Sequence, residues 1–550
     1  MRDEILPPSP QAEFLHVMSA LPAATASSSC PPRWLTAIIV GVAALVFLPT
    51  LAGGFLGDDF VYIARFRELP WSAWPALFTH DWSGGVWGNQ LHELRPFAAL
   101  SFMGDAKLFG DWAPGYQLTN LLLHLAATGL VTLLAWRYTA GHVSATFTSG
   151  LVFALHPAHA EAVIWATGRV DLLATAAALL FWLGAERFSD HGRPRAIIIT
   201  LSAFFIGIFS KELCMFAPLL LVLRWLVLDL RAPRTVWLRR AKILVGVLVI
   251  FAAYATARRL AFGHDRVGYN LWTDVPAWNR QAAHFSWLLP VLPFTGRAEW
   301  ANPPSLATLH GVWLTLAGLT ITGLTFTLWR RARFAAAACF FGGIWYFITV
   351  FPLTGVIYFS PRHLYFPSVG LALAAGLVVA ALRAPVARTI LVTALVSWFA
   401  LALLPAIRPW QAAANTSRSA MAALDRELAG APTGTLALTA VPETLGAVWL
   451  WAWSSPQCYG APFLARPLPP SLVIERPVNY TRPDTWLRDR KPIETLRAAP
   501  AAAALFVSAE GHVFCRLVNS AQLQAAATAL ATTGVNNETW TAFVKSLAQP

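Results

Sequence analysis

The sequence has little charge for its length. Only 13% of its 550 residues are Asp, Glu, Lys or Arg, whereas 56% are apolar. Soluble domains usually carry roughly 25% charged residues, so about half of the expected charge is missing. Length alone would predict about three or four soluble domains. The shortage of charge argues against that organisation and favours one large membrane domain.

Other common features are also absent. No segment repeats with the spacing of about 34 residues that tetratricopeptide repeats have. The first 32 residues lack a basic start followed by an apolar run, and no cleavage pattern follows the first apolar run. We therefore predict that this run is retained as a span. Cysteines are few, and whether Cys458 and Cys515 in the C-terminal region form a disulfide bond is left open.

What the sequence does contain is a series of apolar runs. A membrane-spanning helix needs about 20 apolar residues, within a range of roughly 17–25. Eleven predicted spans cover about residues 34–52, 115–136, 143–157, 170–186, 196–211, 213–230, 241–258, 310–329, 334–353, 364–382 and 389–406. A further apolar piece, Ala282–Phe294, is cut by two prolines. We predict a re-entrant or interfacial helix there rather than a span.

The net charge of +13 is distributed as in a membrane protein rather than a nucleic-acid-binding protein. Basic residues cluster directly after the even-numbered spans, and such clusters mark cytoplasmic loops. They comprise Arg137, Arg187, Arg193, Arg195, Arg231, Arg234, Arg239, Arg240, Lys242, Arg330, Arg331, Arg333, Arg383 and Arg388. This predicts a cytoplasmic N-terminal segment at 1–33, a transmembrane domain at 34–410 with a long first outer loop at 53–114, and no nucleic-acid partner.

The C-terminal region, residues 411–550, is more polar and contains no run of spanning length. Strand patterns occur at Thr435–Val441, Leu472–Glu475, Ala504–Ser508 and His512–Val518, and the last two resemble a hairpin. Helical stretches at 411–429, 520–532 and 537–548 flank them. The predicted fold class is therefore a polytopic α-helical membrane protein of about 11 spans with a small periplasmic α/β domain.

Two carboxylates, Asp58 and Asp59, directly follow the first span. Ionisable groups near membrane depth are costly and tend to mark function. An acidic pair in this position can serve as a general base, or can hold a cation or a sugar hydroxyl. The alternative is a solvated turn at the membrane interface.

A second polar segment contains His156, His159 and Glu161, and Arg169 and Asp171 follow it. The two histidines and the glutamate lack the His-Glu-x-x-His spacing of zinc enzymes. We therefore interpret the segment as a hydrogen-bonded turn that orients the neighbouring active face, and predict no metal there.

Cationic residues also lie at predicted outer boundaries of the spans, among them Lys211, Arg259 and Arg362. Arg258 and Arg259 end the seventh span on the outside, against the usual distribution of positive charge. A guanidinium binds phosphate through a bidentate fork, so a lipid phosphate is a natural partner. Snorkelling of the side chain toward lipid headgroups is the alternative.

In order along the chain, these residues resemble the C-type (GT-C) glycosyltransferases, and most closely the transmembrane-and-tetratricopeptide protein O-mannosyltransferases and their bacterial relatives. The matching motifs are the acidic pair, His92 to Arg95-Pro96, His156 to Val163, Gly168 to Asp171, Lys211-Glu212, and Arg362 through Gly370. They span about residues 50–410. The chain departs from this family where a different C-terminal domain replaces the tetratricopeptide repeats.

The resemblance implies a transferase that moves a sugar from a polyprenyl-phosphate donor to a protein or glycan hydroxyl at the outer face of the membrane. It implies Asp58 as the general base and Asp59 as a residue that orients the acceptor or the base. Arg95, Arg259 and Arg362, with Lys211, become candidates for binding the donor phosphate. No cofactor is expected, because a monophosphate donor does not strictly require a divalent metal.

Two other classes remain open. A lipid-linked polysaccharide ligase or polymerase has many spans and Arg-rich outer loops, but an acidic pair directly after the first span is not expected of it. A transporter would be expected to show inverted repeats and broken helices at the bilayer midplane. High Ala, Arg and Pro usage, together with the missing repeats, favours a bacterial inner-membrane protein.

The topology makes the first testable prediction. A reporter fused after Pro550 should be active only outside the cytoplasm, and one fused near Arg234 only inside it, because the basic loops fix an inside orientation. Activity of the Pro550 fusion in the cytoplasm would show that Ala282–Phe294 is a span or that one of the eleven predicted spans is not.

Overall fold

The structure is a computed structural model in which most of the described residues are helical. It describes residues 30–84, 92–263, 337–338, 340–350, 360–431, 435–440, 444–445, 448–451, 454, 457–468, 473–475, 501–507, 513–533 and 542. The predicted eighth span and the segment Ala282–Phe294 lie outside these residues.

In the described part of the chain up to residue 263, ten α-helices lie between residues 33 and 262. They are α1 Arg33–Phe47, α2 Asp59–Glu68, α3 Pro96–Phe109, α4 Ala113–Tyr138, α5 Val143–Ala154, α6 His159–Ile164, α7 Arg169–His191, α8 Pro194–Ile208, α9 Phe216–Leu228 and α10 Arg234–Phe262. Short 3-10 turns lie at Leu48–Ala52, Trp71–Phe78, Ala166–Gly168 and Glu212–Met215.

Four further α-helices are described after residue 337, within the ranges given above. They are α11 Tyr346–Val350, which continues a π-helical segment at Phe340–Trp345, α12 Pro367–Ala381, α13 Pro385–Ala429 and α14 Ser520–Thr533. A 3-10 turn at Pro361–Leu364 precedes α12.

Among the residues that the structure describes, five helical segments are long and apolar enough to cross a membrane. They are Arg33–Ala52, Ala113–Tyr138, Ala166–His191, Arg234–Phe262 and Pro385–Ala429. Shorter apolar helices lie at Val143–Ala154, Pro194–Ile208, Phe340–Val350 and Pro367–Ala381. The structure thus has the helical membrane character that the sequence predicts, whereas the number of about 11 spans and the orientation of the termini stay predictions.

The first span shows how its sequence divides between protein and lipid. Leu35, Ile39, Ala43 and Phe47 recur every four residues and are fully buried. That spacing places them on one face of a helix. Large apolar side chains on the opposite face, such as Leu45 at 73% exposure, face outward as lipid-facing residues do.

Small residues allow the interior helices to approach closely. A Cβ atom added to Gly376 of α12 would clash with the Ser149 hydroxyl oxygen of α5, and one added to Gly150 would lie 2.8 Å from Ile39 of α1. Small residues at such contacts are typical of membrane helices, which associate by close packing. These glycines therefore hold α1, α5 and α12 together.

Helix α13 does not end where its apolar run ends. The eleventh predicted span stops at about residue 406, but the helix continues through Pro405 and Pro409 to Ala429. Residues after the prolines are mostly good helix formers, which favours continuation. Ala413, Ala414 and Ser417 in this continuation are buried.

The C-terminal region contains a four-stranded sheet in the order β4-β1-β5-β6. Its strands are β1 Leu436–Ala440, β4 Val473–Glu475, β5 Ala501–Val507 and β6 Val513–Asn519. The strand β1 pairs in parallel with β4 and β5, and β5 pairs antiparallel with β6. A second pair is formed by β2 Thr444–Leu445 and β3 Val448–Trp449. The side chain of Cys515 lies outside the description, and so does the bridge to buried Cys458 that the sequence analysis left open.

Ion pairs join four helices at the end that the loop charges predict to be cytoplasmic. Glu186 of α7 is buried and pairs with Arg137 of α4 at 3.0 Å and with Arg224 of α9 at 3.4 Å. Asp229, just after α9, pairs with Arg224 and, at 2.7 Å, with Arg240 of α10. These contacts compensate charges that would otherwise be costly so close to the membrane.

This network generates a stability prediction. Glu186→Gln leaves Arg137 and Arg224 without their shared buried anion, which typically costs about 3 kcal/mol or more. We expect a clearly lower midpoint of thermal unfolding in detergent. Asp190→Asn is the matched control, because Asp190 pairs with the same Arg137 but its side chain is 40% exposed. A control variant as unstable as Glu186→Gln would contradict this account.

Candidate functional site

The acidic pair lies in a folded segment and not in a solvated turn. Asp59 is buried with 2% exposure, and Asp58 is half-buried at the start of α2. One oxygen of Asp59, Oδ1, accepts hydrogen bonds from the Thr167 amide at 2.8 Å and the Thr167 hydroxyl at 2.7 Å. The other, Oδ2, accepts from the Leu56 amide at 3.1 Å. The two carboxylates therefore have different environments.

Burial gives Asp59 unusual acid–base chemistry. It raises the pKa of Asp59 from 3.8 to about 7, although the hydrogen bonds from Thr167 and Leu56 act in the opposite direction. A carboxyl with this pKa is partly protonated near neutral pH. Asp58, the more accessible of the two, is the better placed to receive a proton from a substrate.

Glycines shape the segment that carries the pair. Gly57 has φ +49°, a backbone conformation that glycine adopts without strain. A Cβ atom on Gly54 would lie 2.9 Å from the Arg418 amide nitrogen and 3.0 Å from the Ala414 carbonyl oxygen of α13. The glycines thus permit both the turn before Asp58 and the close passage of α13.

Trp165 connects the acidic segment to a cationic side chain. Its indole Nε1–H donates to the Leu56 carbonyl oxygen at 3.0 Å. The guanidinium carbon of Arg362 lies 4.5 Å from the centre of the Trp165 ring, within range of a cation–π interaction. The tryptophan therefore brings a cation next to the segment that contains Asp58.

Arg362 belongs to a larger group of charges that we call the cationic cluster: Arg95, Lys211, Arg258 and Arg362 with the carboxylates of Glu93, Asp171 and Glu212. Asp171 contacts Lys211 Nζ at 2.5 Å and Arg362 Nε at 3.7 Å. Glu212 contacts Arg95 at 3.2 Å and Arg258 at 3.7 Å, and Glu93 contacts Arg95 at 2.9 Å.

The cationic cluster has an excess of positive charge. Its cations outnumber its carboxylates by one. Burial also raises the pKa of Glu93 and so favours its neutral form, although Arg95 acts in the opposite direction. Burial lowers the pKa of Lys211, while Asp171 acts to keep its charge. The cluster is only partly accessible to a ligand. The side chains that reach its surface are just 10–15% exposed, among them Lys211, Arg362, Arg95 and Glu212.

Glu161 holds the turn that carries Arg362. Its carboxylate is buried, and Oε1 accepts a hydrogen bond from the Ser360 hydroxyl at 2.5 Å. The other oxygen, Oε2, accepts from the Arg362 amide at 3.3 Å. A carboxylate that binds both ends of a short turn fixes the direction of the side chain leaving it. Glu161 therefore positions Arg362 and contacts it through the backbone.

The histidines of the same motif are packed in the interior. His159 Nε2 lies 2.9 Å from the Ser368 hydroxyl, and its ring centre lies 4.2 Å from that of Tyr365. His156 Nδ1 accepts a hydrogen bond from the Ala158 amide at 3.2 Å. Burial lowers the pKa of His156 to about 3 and that of His159 well below its usual value. Both rings are therefore neutral packing groups beneath the Arg362 turn.

Arg169 and Asp171 face different surroundings although only two positions separate them, as expected of i and i+2 on a helix. Arg169 is fully buried, with an ion pair to Asp105 at 2.5 Å and a hydrogen bond to Asn120 at 2.9 Å. Asn120 in turn donates to the Trp165 carbonyl oxygen at 2.9 Å. Arg169 thus supports the Trp165 turn, and Asp171 belongs to the cationic cluster.

The seventh-span arginines separate in the same way. Arg259 is exposed at the end of α10, whereas Arg258 is 1% exposed and belongs to the cationic cluster. Tyr254, Arg258 and Phe262 recur every four residues, and the Arg258 guanidinium lies 5.2 Å from the Phe262 ring centre. His92 lies against the same ring at 5.2 Å. That helical spacing was the signal that Arg258 is the inward-facing residue of the pair.

Other residues of the site had weaker signals in the sequence. Trp165 and Thr167 lie in an apolar stretch between two recognised motifs, and only the fold shows that they bind the acidic segment. Among the residues that the structure describes, no group of three or more His, Cys, Asp or Glu is arranged to hold a metal ion. The expectation that no metal is needed stays a prediction.

Comparisons with known proteins support the resemblance inferred from the motifs. No protein-family model matches the chain. It is 34% identical over 196 residues to the protein O-mannosyl-transferase Tmtc2 of Drosophila melanogaster, a match that covers 33% of this chain and 20% of that protein. The human O-mannosyl-transferase TMTC2 is 33% identical over 169 residues, or 30% of this chain and 19% of that protein. The predicted similarity to the transmembrane-and-tetratricopeptide O-mannosyltransferases is confirmed.

The chain matches only about a fifth of the length of these curated relatives. Among solved structures it is similar to ArnT from Cupriavidus metallidurans bound to undecaprenyl phosphate, with a TM-score of 0.48, 17% identity, and coverage of 90% of this chain and 94% of that chain. The archaeal oligosaccharyltransferase AglB from Archaeoglobus fulgidus gives a TM-score of 0.41 and 15% identity, with coverage of 74% and 62%. TM-scores below 0.5 do not support assigning any structural or functional feature of these two proteins to this chain.

The acidic pair makes a prediction about pH. Folding raises the pKa of Asp59 from 3.8 to about 7. Between about pH 4 and pH 7 the Asp59 carboxyl is therefore protonated in the folded protein but ionised in the unfolded chain. Stability should therefore fall as pH rises through this window, by up to about 4 kcal/mol from this group. Asp59→Asn does not titrate, so its unfolding midpoint relative to wild type should rise steadily from pH 5 to pH 8. A difference in unfolding midpoint that is independent of pH would show that the pKa of Asp59 is not raised.

Proposed function

We propose that this chain is a glycosyltransferase that moves a sugar from a polyprenyl-phosphate donor to an acceptor hydroxyl at the outer face of the membrane. The observation that carries the proposal is the contact through Trp165, which joins the segment of Asp58 to Arg362 of the cationic cluster. A base and a phosphate-binding group are the two functions that this reaction needs. The relatives named as protein O-mannosyl-transferases support the same chemistry.

Asp58 is the general base in this proposal. It accepts the proton of the acceptor hydroxyl as the hydroxyl oxygen forms a bond to the anomeric carbon. The bond between that carbon and the phosphate oxygen breaks, and its electron pair leaves with the polyprenyl phosphate. Asp59 stays buried and fixes the segment, because its hydrogen bonds to Thr167 and Leu56 leave it little freedom.

The cationic cluster receives the leaving phosphate. Arg95, Lys211 and Arg362 supply charge-assisted donors, which bind phosphate more strongly than neutral donors do. Their carboxylate partners hold these side chains in place before the donor arrives, so little reorganisation is needed as negative charge develops. Arg258 belongs to the cationic cluster. Arg259, which the sequence analysis named as a candidate for binding the donor phosphate, is exposed and available to lipid headgroups.

A lipid donor suits the surroundings of this site. Lys211 lies between α8 and the Glu212–Met215 turn, and Arg362 lies in the turn before α12, so both follow or precede apolar helices. A polyprenyl chain can then remain in the bilayer while its phosphate reaches the cluster. For the acceptor, the names of the relatives favour a serine or threonine hydroxyl of a protein.

The proposal is tested by transfer in proteoliposomes. Purified protein supplied with a radiolabelled polyprenyl-phosphate sugar and a periplasmic protein extract should transfer label to the acceptor fraction. Asp58→Asn should lower turnover about 10²–10⁴-fold, because the amide keeps the shape of the side chain but accepts no proton. Asp111→Asn, at an exposed position of the same outer loop, is the matched control and should retain wild-type turnover.

Two results would contradict the proposal. Wild-type protein that transfers no label from any polyprenyl-phosphate sugar would exclude the reaction. Near-native turnover of Asp58→Asn would exclude Asp58 as the base. Label that reaches a glycan fraction and no protein would keep the reaction and change the acceptor class.

A further inference from the structure

The C-terminal region binds the backbone of the acidic segment directly. The Gly57 amide donates a hydrogen bond to the Leu450 carbonyl oxygen at 2.5 Å. The Gly57 carbonyl oxygen accepts a hydrogen bond from the Ser454 hydroxyl. Both backbone polar groups of the residue before Asp58 thus have partners about 400 positions away in the sequence.

A second connection runs through α13. The buried Trp451 indole donates to the Ser417 hydroxyl oxygen at 2.7 Å, and that hydroxyl donates to the Phe55 carbonyl oxygen at 2.7 Å. The Gly54 amide donates to the Ala414 carbonyl oxygen at 3.0 Å. The acidic segment is therefore bound on both sides of its turn.

Aromatic packing reinforces these hydrogen bonds. The Phe463 ring centre lies 4.8 Å from that of Phe60 and 5.8 Å from that of Phe55, in edge-to-face geometry. Trp451 also meets Phe60 edge to face at 6.2 Å. Such aromatic pairs add to the stabilisation from buried area. The residues on both sides of Asp58-Asp59 therefore pack against the C-terminal region.

The Gly57 turn depends on these contacts for a fixed geometry. A glycine with φ +49° has few steric restraints of its own, so its conformation is set by the groups that bind it. Loss of a partner for a buried backbone group leaves that group unsatisfied, which is costly. These contacts therefore hold the Gly57 turn in one conformation, and Asp58 is the next residue in the chain.

We propose that Leu450, Trp451, Ser454 and Phe463 of the C-terminal region form a positioning element for Asp58, with Ser454 and Trp451 as its positioning residues. The inference rests on the proposed function in taking Asp58 as the base. In this view the C-terminal region is part of the active-site structure rather than an appended domain. Its described hydrogen bonds and ring contacts reach the acidic segment, whereas the ion pairs described for the cationic cluster involve residues 93–362.

The expected kinetic signature follows from this division. Removal of the Ser454 hydroxyl or the Trp451 indole N–H should let the acidic segment move, and should lower kcat about tenfold through a displaced base. The apparent KM for the donor should stay within about twofold of wild type, since the cluster is unchanged. Because a loss of folded protein would also lower the apparent kcat at unchanged KM, kcat is calculated per folded protein, and the exchange measurement distinguishes the two cases.

The experiment combines hydrogen–deuterium exchange with transfer kinetics on the full chain. Ser454→Ala and Trp451→Phe should both accelerate exchange of the amides in residues 53–60 by about tenfold, the effect of one lost hydrogen bond. Ser454→Thr keeps the hydroxyl and should restore slow exchange and turnover. Thr528→Ala is the matched control, because its exposed hydroxyl bonds to Gln524 within α14.

Each outcome decides the inference. Unchanged exchange in both Ser454→Ala and Trp451→Phe would overturn it, whether or not the protein is active. Faster exchange with wild-type kcat would show that the contacts are structural and do not position the base. Faster exchange in a protein whose wild type transfers no sugar would leave the contacts established and overturn the proposed function instead. Should Ser454→Ala fail to fold, Trp451→Phe supplies the same test.

Discussion

The hydrogen bonds accepted by the buried Asp59 carboxylate are the interaction on which the candidate site depends. They join the segment after the first span to the Thr167 turn, more than a hundred positions away. That turn carries Trp165, whose ring contacts Arg362 and whose indole N–H returns to Leu56. If this carboxylate were removed, the contacts that fix the positions of Asp58, Trp165 and Arg362 relative to one another would be weakened.

Charge compensation is the second constraint, and it explains why so many polar residues of the motifs pair with one another. A cation at the edge of a membrane is costly unless an anion is near. Asp171, Glu212 and Glu93 meet that need for the cationic cluster, and Asp105 meets it for Arg169. Glu161 and the neutral histidines then form the packed layer that orients the Arg362 turn. The resulting excess of positive charge is small, fixed and partly accessible, as a phosphate site requires.

Much of this arrangement was predictable from sequence, and the remainder was not for physical reasons. Apolar runs and their flanking arginines predict membrane helices, because the bilayer imposes a length and a charge asymmetry. Ordered motifs indicated Asp58, Arg95, Lys211, Asp171 and Arg362 as a set. Contacts between distant segments leave no local signal, so the binding of Gly57 by Leu450 and Ser454 could not be foreseen. To tell which of Arg258 and Arg259 faces the protein interior, one must know which face of α10 is packed. Arg258 has aromatic neighbours four positions before and after it, but this spacing identifies the inward residue only once the packed face is known.

The central claim is that the cationic cluster holds the donor phosphate beside the base. It is tested most directly by measuring the Kd of sugar-free polyprenyl phosphate for wild type, Arg362→Ala and Arg259→Ala in detergent. Loss of a charge-assisted contact predicts a Kd about tenfold or more weaker for Arg362→Ala, and a Kd within about twofold of wild type for exposed Arg259→Ala. Equal affinities for wild type and Arg362→Ala, or a larger loss at Arg259, would contradict the claim.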